Sequence, residues 1–136
     1  MSTVQTVQPE GWAPAKGYAN GVVCAGGRTL YVAGQIGWDA AQTFHSDDFV
    51  AQWDQALANV VDVVRAAGGG PEHLVKMTVY VTDLDAYRDN LRAVGAAWRA
   101  RIGRHFPAMA LVGVAGLVER RAKVEIEAVA HLPETP

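Results

Sequence analysis

One cysteine, Cys24, in 136 residues excludes an intrachain disulfide and any cysteine-based zinc site. Its composition-level reading is a small hydrophobe of the core. Serine is almost as scarce: Ser2 and Ser46 are the only two. Neither stands in a nucleophile elbow, and Ser46 falls where a helix needs a cap. The histidines at 45, 73, 105 and 131 lack the close spacing of metal ligands, so no metal and no cofactor is expected. Charge of one sign is also missing. Twelve basic against fourteen acidic residues leave a net −2, which offers no field for nucleic acid or an anionic membrane. No apolar run approaches the roughly 18 residues of a membrane span. No basic head with an apolar stretch behind it opens the chain, so a cytoplasmic protein is expected. Glycine is abundant, but "AAGGGPEH" carries no following Lys-Ser/Thr pair and closes a helix instead of opening one, which removes a phosphate-cradling loop. RNA binding wants aromatics interleaved with basic residues on a sheet face; Tyr80 and Lys76 are too few beside their acidic neighbours.

What is present is a soluble globular composition, half hydrophobic and about a fifth charged, sized for one domain over 1–136. Residues 1–17, with Pro9, Gly11 and Pro14, read as an irregular arm in which Trp12 is a packing anchor. "NGVVCAGGRTLYVAGQIG" holds two short apolar runs around Gly26-Gly27, a hairpin signal. A loop, "GWDAAQTFHS", leads to a helix capped by Ser46 or Asp47, with acids in its first turn. Its apolar stripe runs Phe49, Val50, Trp53, Ala56, Leu57, Val60, Val61 and Val64. "LVKMTVYV" alternates as a strand. "TDLDAYRDNLRAVGAAWRARIG" predicts one helix with Leu84, Tyr87, Leu91, Val94 and Trp98 on its stripe. "RHFPAMALVGVAGL" gives a buried strand behind a basic entrance of Arg104 and His105. "AKVEIEAVAHL" closes the chain with Val124, Ile126 and Ala128 on one face and Lys123, Glu125 and Glu127 on the other. The order is ββαβαββ, a mixed sheet with two helices on one face, an α+β fold. The sheet's second face, with Lys76, Thr78, Tyr80, Glu125 and Glu127 beside small groups, is uncovered by helices and favours an oligomer.

Four stretches, "GYANGV", "LYVAGQIGWD", "VKMTVYVTDLDAY" and "HFPAMALVGVAGL…VEIEAVA", resemble in order and spacing the Rid family, the YjgF-like reactive intermediate deaminases, from about residue 16 to 131. The resemblance implies a chorismate-mutase-like α+β fold assembled as a homotrimer, its sheets lining a central barrel and its clefts lying between subunits. It implies hydrolysis of a small imine or enamine to a carbonyl compound and ammonia. Such chemistry needs a carboxylate clamp, a positioned water and a group to hold it.

By the same resemblance, the family's cleft tyrosine falls on Tyr18 and its water-orienting glutamate on Glu125. The family's Gly-Gln pair stands in place as Gly34-Gln35, with Ala33 where the family has serine before that glycine. Trp38 lies in the loop that lines the cleft, where it either stacks on a planar substrate or simply packs. The departure is Met109: deaminating members carry an arginine directly after "FPA". A thioether cannot make that residue's bidentate grip on a carboxylate. Either the clamp has moved, to Arg104, Arg120, Arg121 or Lys16, or the substrate is larger, more apolar or aromatic-derived, or the site binds without turnover. The leading expectation is an imine/enamine deaminase of altered specificity, with Glu125 and Tyr18 catalytic and Met109, Ala33, Gly34, Trp38 and Arg104 binding substrate. The alternatives are a non-catalytic trimeric binder or holdase-like protein and, last, a ribonuclease or translation inhibitor.

Overall fold

The computed structural model describes residues 2–134. β1 (Thr3–Val7) pairs antiparallel with β2 (Gly21–Ala25) as a two-stranded ribbon. β3 (Arg28–Ile36), β6 (Val124–Leu132), β4 (Leu74–Val81) and β5 (Ala108–Gly113) form a mixed sheet in that spatial order. Its one parallel pair is β4–β5, the pair joined through α2 (Leu84–Arg88) and α3 (Leu91–Arg101), since parallel neighbours need a long crossover. α1 (Phe49–Ala66), followed by a 3₁₀ turn at Pro71–His73, connects β3 to β4. The mixed α+β sheet with its helices is thus present as the sequence predicts.

Helical spacing in α1 puts Phe49, Trp53, Leu57, Val60 and Val64 on one buried stripe. They meet Leu74, Met77, Val79, Val81, Val124 and Ile126 from the sheet. Each such side chain contributes about 1.5–3 kcal/mol on leaving water. The Trp53 indole N–H donates to the Val94 carbonyl at 3.2 Å, tying α1 to α3. Gln52, buried in the same helix, is fully used: its amide donates to the Ser46 and Arg121 carbonyls, and its oxygen accepts from the Lys123 N–H at 2.7 Å. Gly37 permits this approach, because a Cβ there would lie 2.7 Å from Gln52 Cα. Arg101 grips Asp54 bidentately at 2.8 and 2.9 Å and holds that carboxyl below its ordinary range. At its exposure the pair contributes under about 1 kcal/mol.

Several local expectations are corrected. The arm is not irregular throughout, since Thr3–Val7 is a strand, and Trp12 is 62% exposed instead of anchoring it. Gly26 and Gly27, with φ of 67° and 69°, form a bend between β2 and β3, but no β2–β3 hairpin ladder forms. β3 pairs with β6, whose Ile126 and Ala128 complete the core beside Val32, and β2 pairs with β1. Cys24 therefore lies on the ribbon, outside the helix-covered sheet, and is exposed. The cap of α1 is Asp48, whose carboxylate accepts from Ala51 N–H at 3.0 Å. Ser46 Oγ accepts from Asp48 N–H instead, and the first turn holds no acid. The helix expected over 82–103 breaks after Arg88. The Asn90 side chain donates to the Ala86 carbonyl at 2.7 Å, the local competition with helix geometry typical of asparagine. The break leaves Leu91 57% exposed, off the stripe that Val94 and Trp98 keep.

Candidate active site

Strand pairing decides which side chains can share a surface. Glu125 stands opposite Tyr80 and Glu127 opposite Thr78, so these four project from the helix-free face. Met109 stands opposite Met77, which is fully buried under the helices. The expected catalytic carboxylate and the expected substrate-lining thioether thus lie on opposite faces of one sheet. Six of the seven residues singled out from the sequence fall into two groups that a single chain does not bring together, and the seventh, Trp38, packs on Phe44 and joins neither.

The first group is Ala33, Gly34 and Glu125. Between Val32, opposite Ala128, and Gln35, opposite Ile126, the register of β3 shifts. Ala33 and Gly34 both stand against Glu127, two residues against one. Such bulges re-aim the chain beside functional sites. Glu125 lies directly over Gly34: a Cβ on Gly34 would meet the carboxylate, with Cδ at 2.8 Å and Cγ at 3.0 Å. Glycine is what allows the acid to occupy that place. The two acids of the face are not equivalent. Tyr80 Oη donates to Glu127 at 2.5 Å, and that bond, with lesser help from burial and Glu125, raises the phenol above its ordinary range. Glu125, half-buried, takes no hydrogen bond or ion pair among the described residues. Of the two acids, Glu125 is the one whose carboxylate has no partner on the face. Ala33 also borders a shallow pocket of about 440 Å³ with Lys76, Thr78 and Glu127.

The second group is Tyr18, Arg104 and Met109. Ala19 bridges Ala108 in parallel fashion, its N–H donating to the Pro107 carbonyl at 2.9 Å. This pins Tyr18, 43% exposed, beside the entrance of β5. There Tyr18, Arg104 and Phe106 border one depression, while Arg104, Phe106 and Met109 line a larger groove, about 1030 Å³, under α3. Among the four cations considered as a displaced clamp, Arg121 is engaged by Asp47 at 2.9 Å and lies over the Phe44 ring. Arg104 is the one that lines the groove with Met109. His105 does not point outward with it; its Nε2 donates to the Leu74 carbonyl at 2.6 Å. Trp38 meets Phe44, ring centroids 5.8 Å apart, and its carbonyl accepts from Asn59 of α1 at 2.7 Å.

The groove brings in residues that strand-based reading passes over: Arg92, Gly95 and Arg99 of α3. Their signal was in the sequence as a spacing of i, i+3 and i+7, one helix face, polar where a simple amphipathic reading looks only for the apolar stripe. Among the described residues no three or more His, Cys, Asp or Glu are placed to hold a metal, and no helix is long and apolar enough to cross a membrane.

The family model described as Endoribonuclease L-PSP matches residues 9–132. A 2-iminobutanoate/2-iminopropanoate deaminase of Salmonella typhimurium is 37% identical over 107 residues, covering 76% of this chain and 80% of that protein. The deaminase of the same name from Capra hircus is 35% identical over 104 residues, covering 76% and 72%. The crystal structure of YyfB from Yersinia pestis, a protein of unknown function in the conserved Rid family, superposes with a TM-score of 0.84 at 34% identity. It covers 95% of this chain and 98% of that one.

Proposed function

Because the chain belongs to the Endoribonuclease L-PSP family, the YjgF/Rid family, we propose that it hydrolyses an imine or enamine to a carbonyl compound and ammonia, with a substrate preference set by Met109 in place of arginine. The observation that carries this reading is the unengaged Glu125 carboxylate laid over Gly34. Glu125 holds a water and takes a proton from it as the oxygen adds to the C=N carbon. The nitrogen gains a proton from solvent, giving the carbinolamine; Glu125 then returns its proton to that nitrogen while the hydroxyl proton is lost to solvent, so that the C=O bond forms as the C–N bond breaks and ammonia leaves. An imine carbon is already electrophilic, so positioning and one general base suffice.

In this reading the site is completed between subunits of a homotrimer. One subunit presents Ala33, Gly34 and Glu125, and its neighbour presents Tyr18, Arg104 and Met109. The separation of these groups on opposite sheet faces of one chain supports a two-chain site, as does the helix-free face, where Tyr31 is 79% exposed. The test is complementation. Glu125→Gln and Tyr18→Ala proteins are each unfolded, mixed in equal amounts and refolded together, and ammonia release is followed. Random assortment puts both intact halves in about one quarter of the clefts, so about a quarter of wild-type activity is expected to return. A mixture no more active than the mean of its parents contradicts a shared site.

A further inference from the structure

Resting on that reading, we propose that the groove under α3 selects a substrate joining an aromatic ring to a carboxylate, with the ring on the groove floor and the carboxylate held by its arginine rim. The floor is aromatic and soft. Trp98 and Phe106 stack with centroids 5.9 Å apart and planes 6° from parallel, and the Met109 thioether lies beside them. Thioether and ring faces suit a planar apolar group. The rim carries Arg92, Arg99 and Arg104, and no acidic residue lines the groove.

What sets these three arginines apart is that they line one groove. Arg88, Arg101 and Arg121 are paired with Asp85, Asp54 and Asp47. Arg92, Arg99 and Arg104, like Arg65 and Arg120, have no ion pair or hydrogen bond among the described residues, and of these five only the first three line the groove. Three unneutralised guanidinium groups around one apolar trough complement an anion, and a planar fork is suited to a carboxylate. The arrangement answers the loss of an arginine at 109: the charge sits at the rim, and the floor where it would have stood is left for apolar surface.

Gly95 supplies an independent observation. It sits inside α3, where alanine is the better helix former, yet a Cβ there would meet nothing within 4 Å. No packing contact requires glycine at this point of the helix. It faces the groove between Arg92 and Arg99, and its missing side chain adds width. At about 1030 Å³ the groove has the room of a site for a ring-bearing ligand, well beyond a three-carbon acid.

Binding of stable carbonyl analogues tests this without turnover. Phenylpyruvate, pyruvate and phenylacetone are titrated calorimetrically into the full-length wild type, Arg104→Ala and Gly95→Leu, with circular dichroism confirming each fold. Phenylpyruvate is expected to bind at least about tenfold more tightly than either pyruvate, which lacks the ring, or phenylacetone, which lacks the carboxylate. Arg104→Ala is expected to bring phenylpyruvate toward the phenylacetone value, and Gly95→Leu to weaken it by about tenfold or more by filling the trough. Equal affinity for pyruvate and phenylpyruvate, or unchanged binding by folded Gly95→Leu and Arg104→Ala, overturns the proposal. Because no step is catalysed, absent deamination leaves this result standing. Conversely, deamination with no ring preference removes only the groove assignment.

Discussion

Glu125→Gln is expected to lower turnover of any imine the protein accepts by roughly 10²- to 10⁴-fold, the range lost with a general base. Substrate affinity should change little. Glutamine keeps the shape of the side chain and its place over Gly34, so the fold has no reason to respond. What disappears is the capacity to take a proton from the attacking water. Glu127→Gln is the internal comparison. Its carboxylate is engaged by Tyr80 at 2.5 Å, on the same face and of the same chemistry, and its replacement should cost turnover far less. Equal losses from both substitutions would mean that the general negative charge of the face matters, and not a base at Glu125. Steady-state ammonia release, with kcat and KM separated, reads the difference.

Met109→Arg is expected to raise kcat/KM for small 2-imino acids such as 2-iminopropanoate by roughly ten- to a hundredfold, as a charge-assisted grip contributes about 1.5–3 kcal/mol. Met109 is half-buried, packed against the core and open to the groove. An arginine stem can lie along the same apolar surface while its head reaches the groove. The gain for small acids should come with weaker handling of ring-bearing substrates, since the guanidinium takes up floor space beside Trp98 and Phe106. The same assay on the two substrate classes tests both halves. No gain for the small acid would place its carboxylate away from position 109.

The elements were largely legible because burial follows period. The stripe from Phe49 to Val64 and the alternation in 74–81 and 124–132 appear where spacing put them, as does the acidic, helix-free face. What failed was local competition and pairing. Nothing in 20–37 announces that β6 will take the ladder of β3, because partner choice depends on a strand a hundred residues away. The break at Asn90 depends on one side chain outcompeting a turn of helix. Cys24 followed the hairpin error, its exposure being a consequence of the ribbon it belongs to.

For the candidate site, the family resemblance singled out Glu125, Gly34, Tyr18 and Met109, and periodicity put Glu125 on the uncovered face. That Met109 faces the opposite way follows only once β5 is known to run parallel to β4, with Met109 against Met77. The difference between the two glutamates was not legible either. It rests on the diagonal reach of Tyr80 to Glu127, a matter of side-chain geometry. The rim on α3 stayed hidden because arginines on an exposed helix face usually mean solvation. It takes the floor of Trp98, Phe106 and Met109, brought together where the chain turns from α3 into β5, to give them a shared purpose.

The most direct measurement is ammonia release by the wild type from freshly generated imines, one derived from phenylpyruvate and one from pyruvate, against the Glu125→Gln protein as background. Release above that background, faster with the phenylpyruvate imine, is the predicted result. Rates indistinguishable from Glu125→Gln on both substrates would contradict the enzyme, and leave a trimeric binder of small ligands as the reading to pursue.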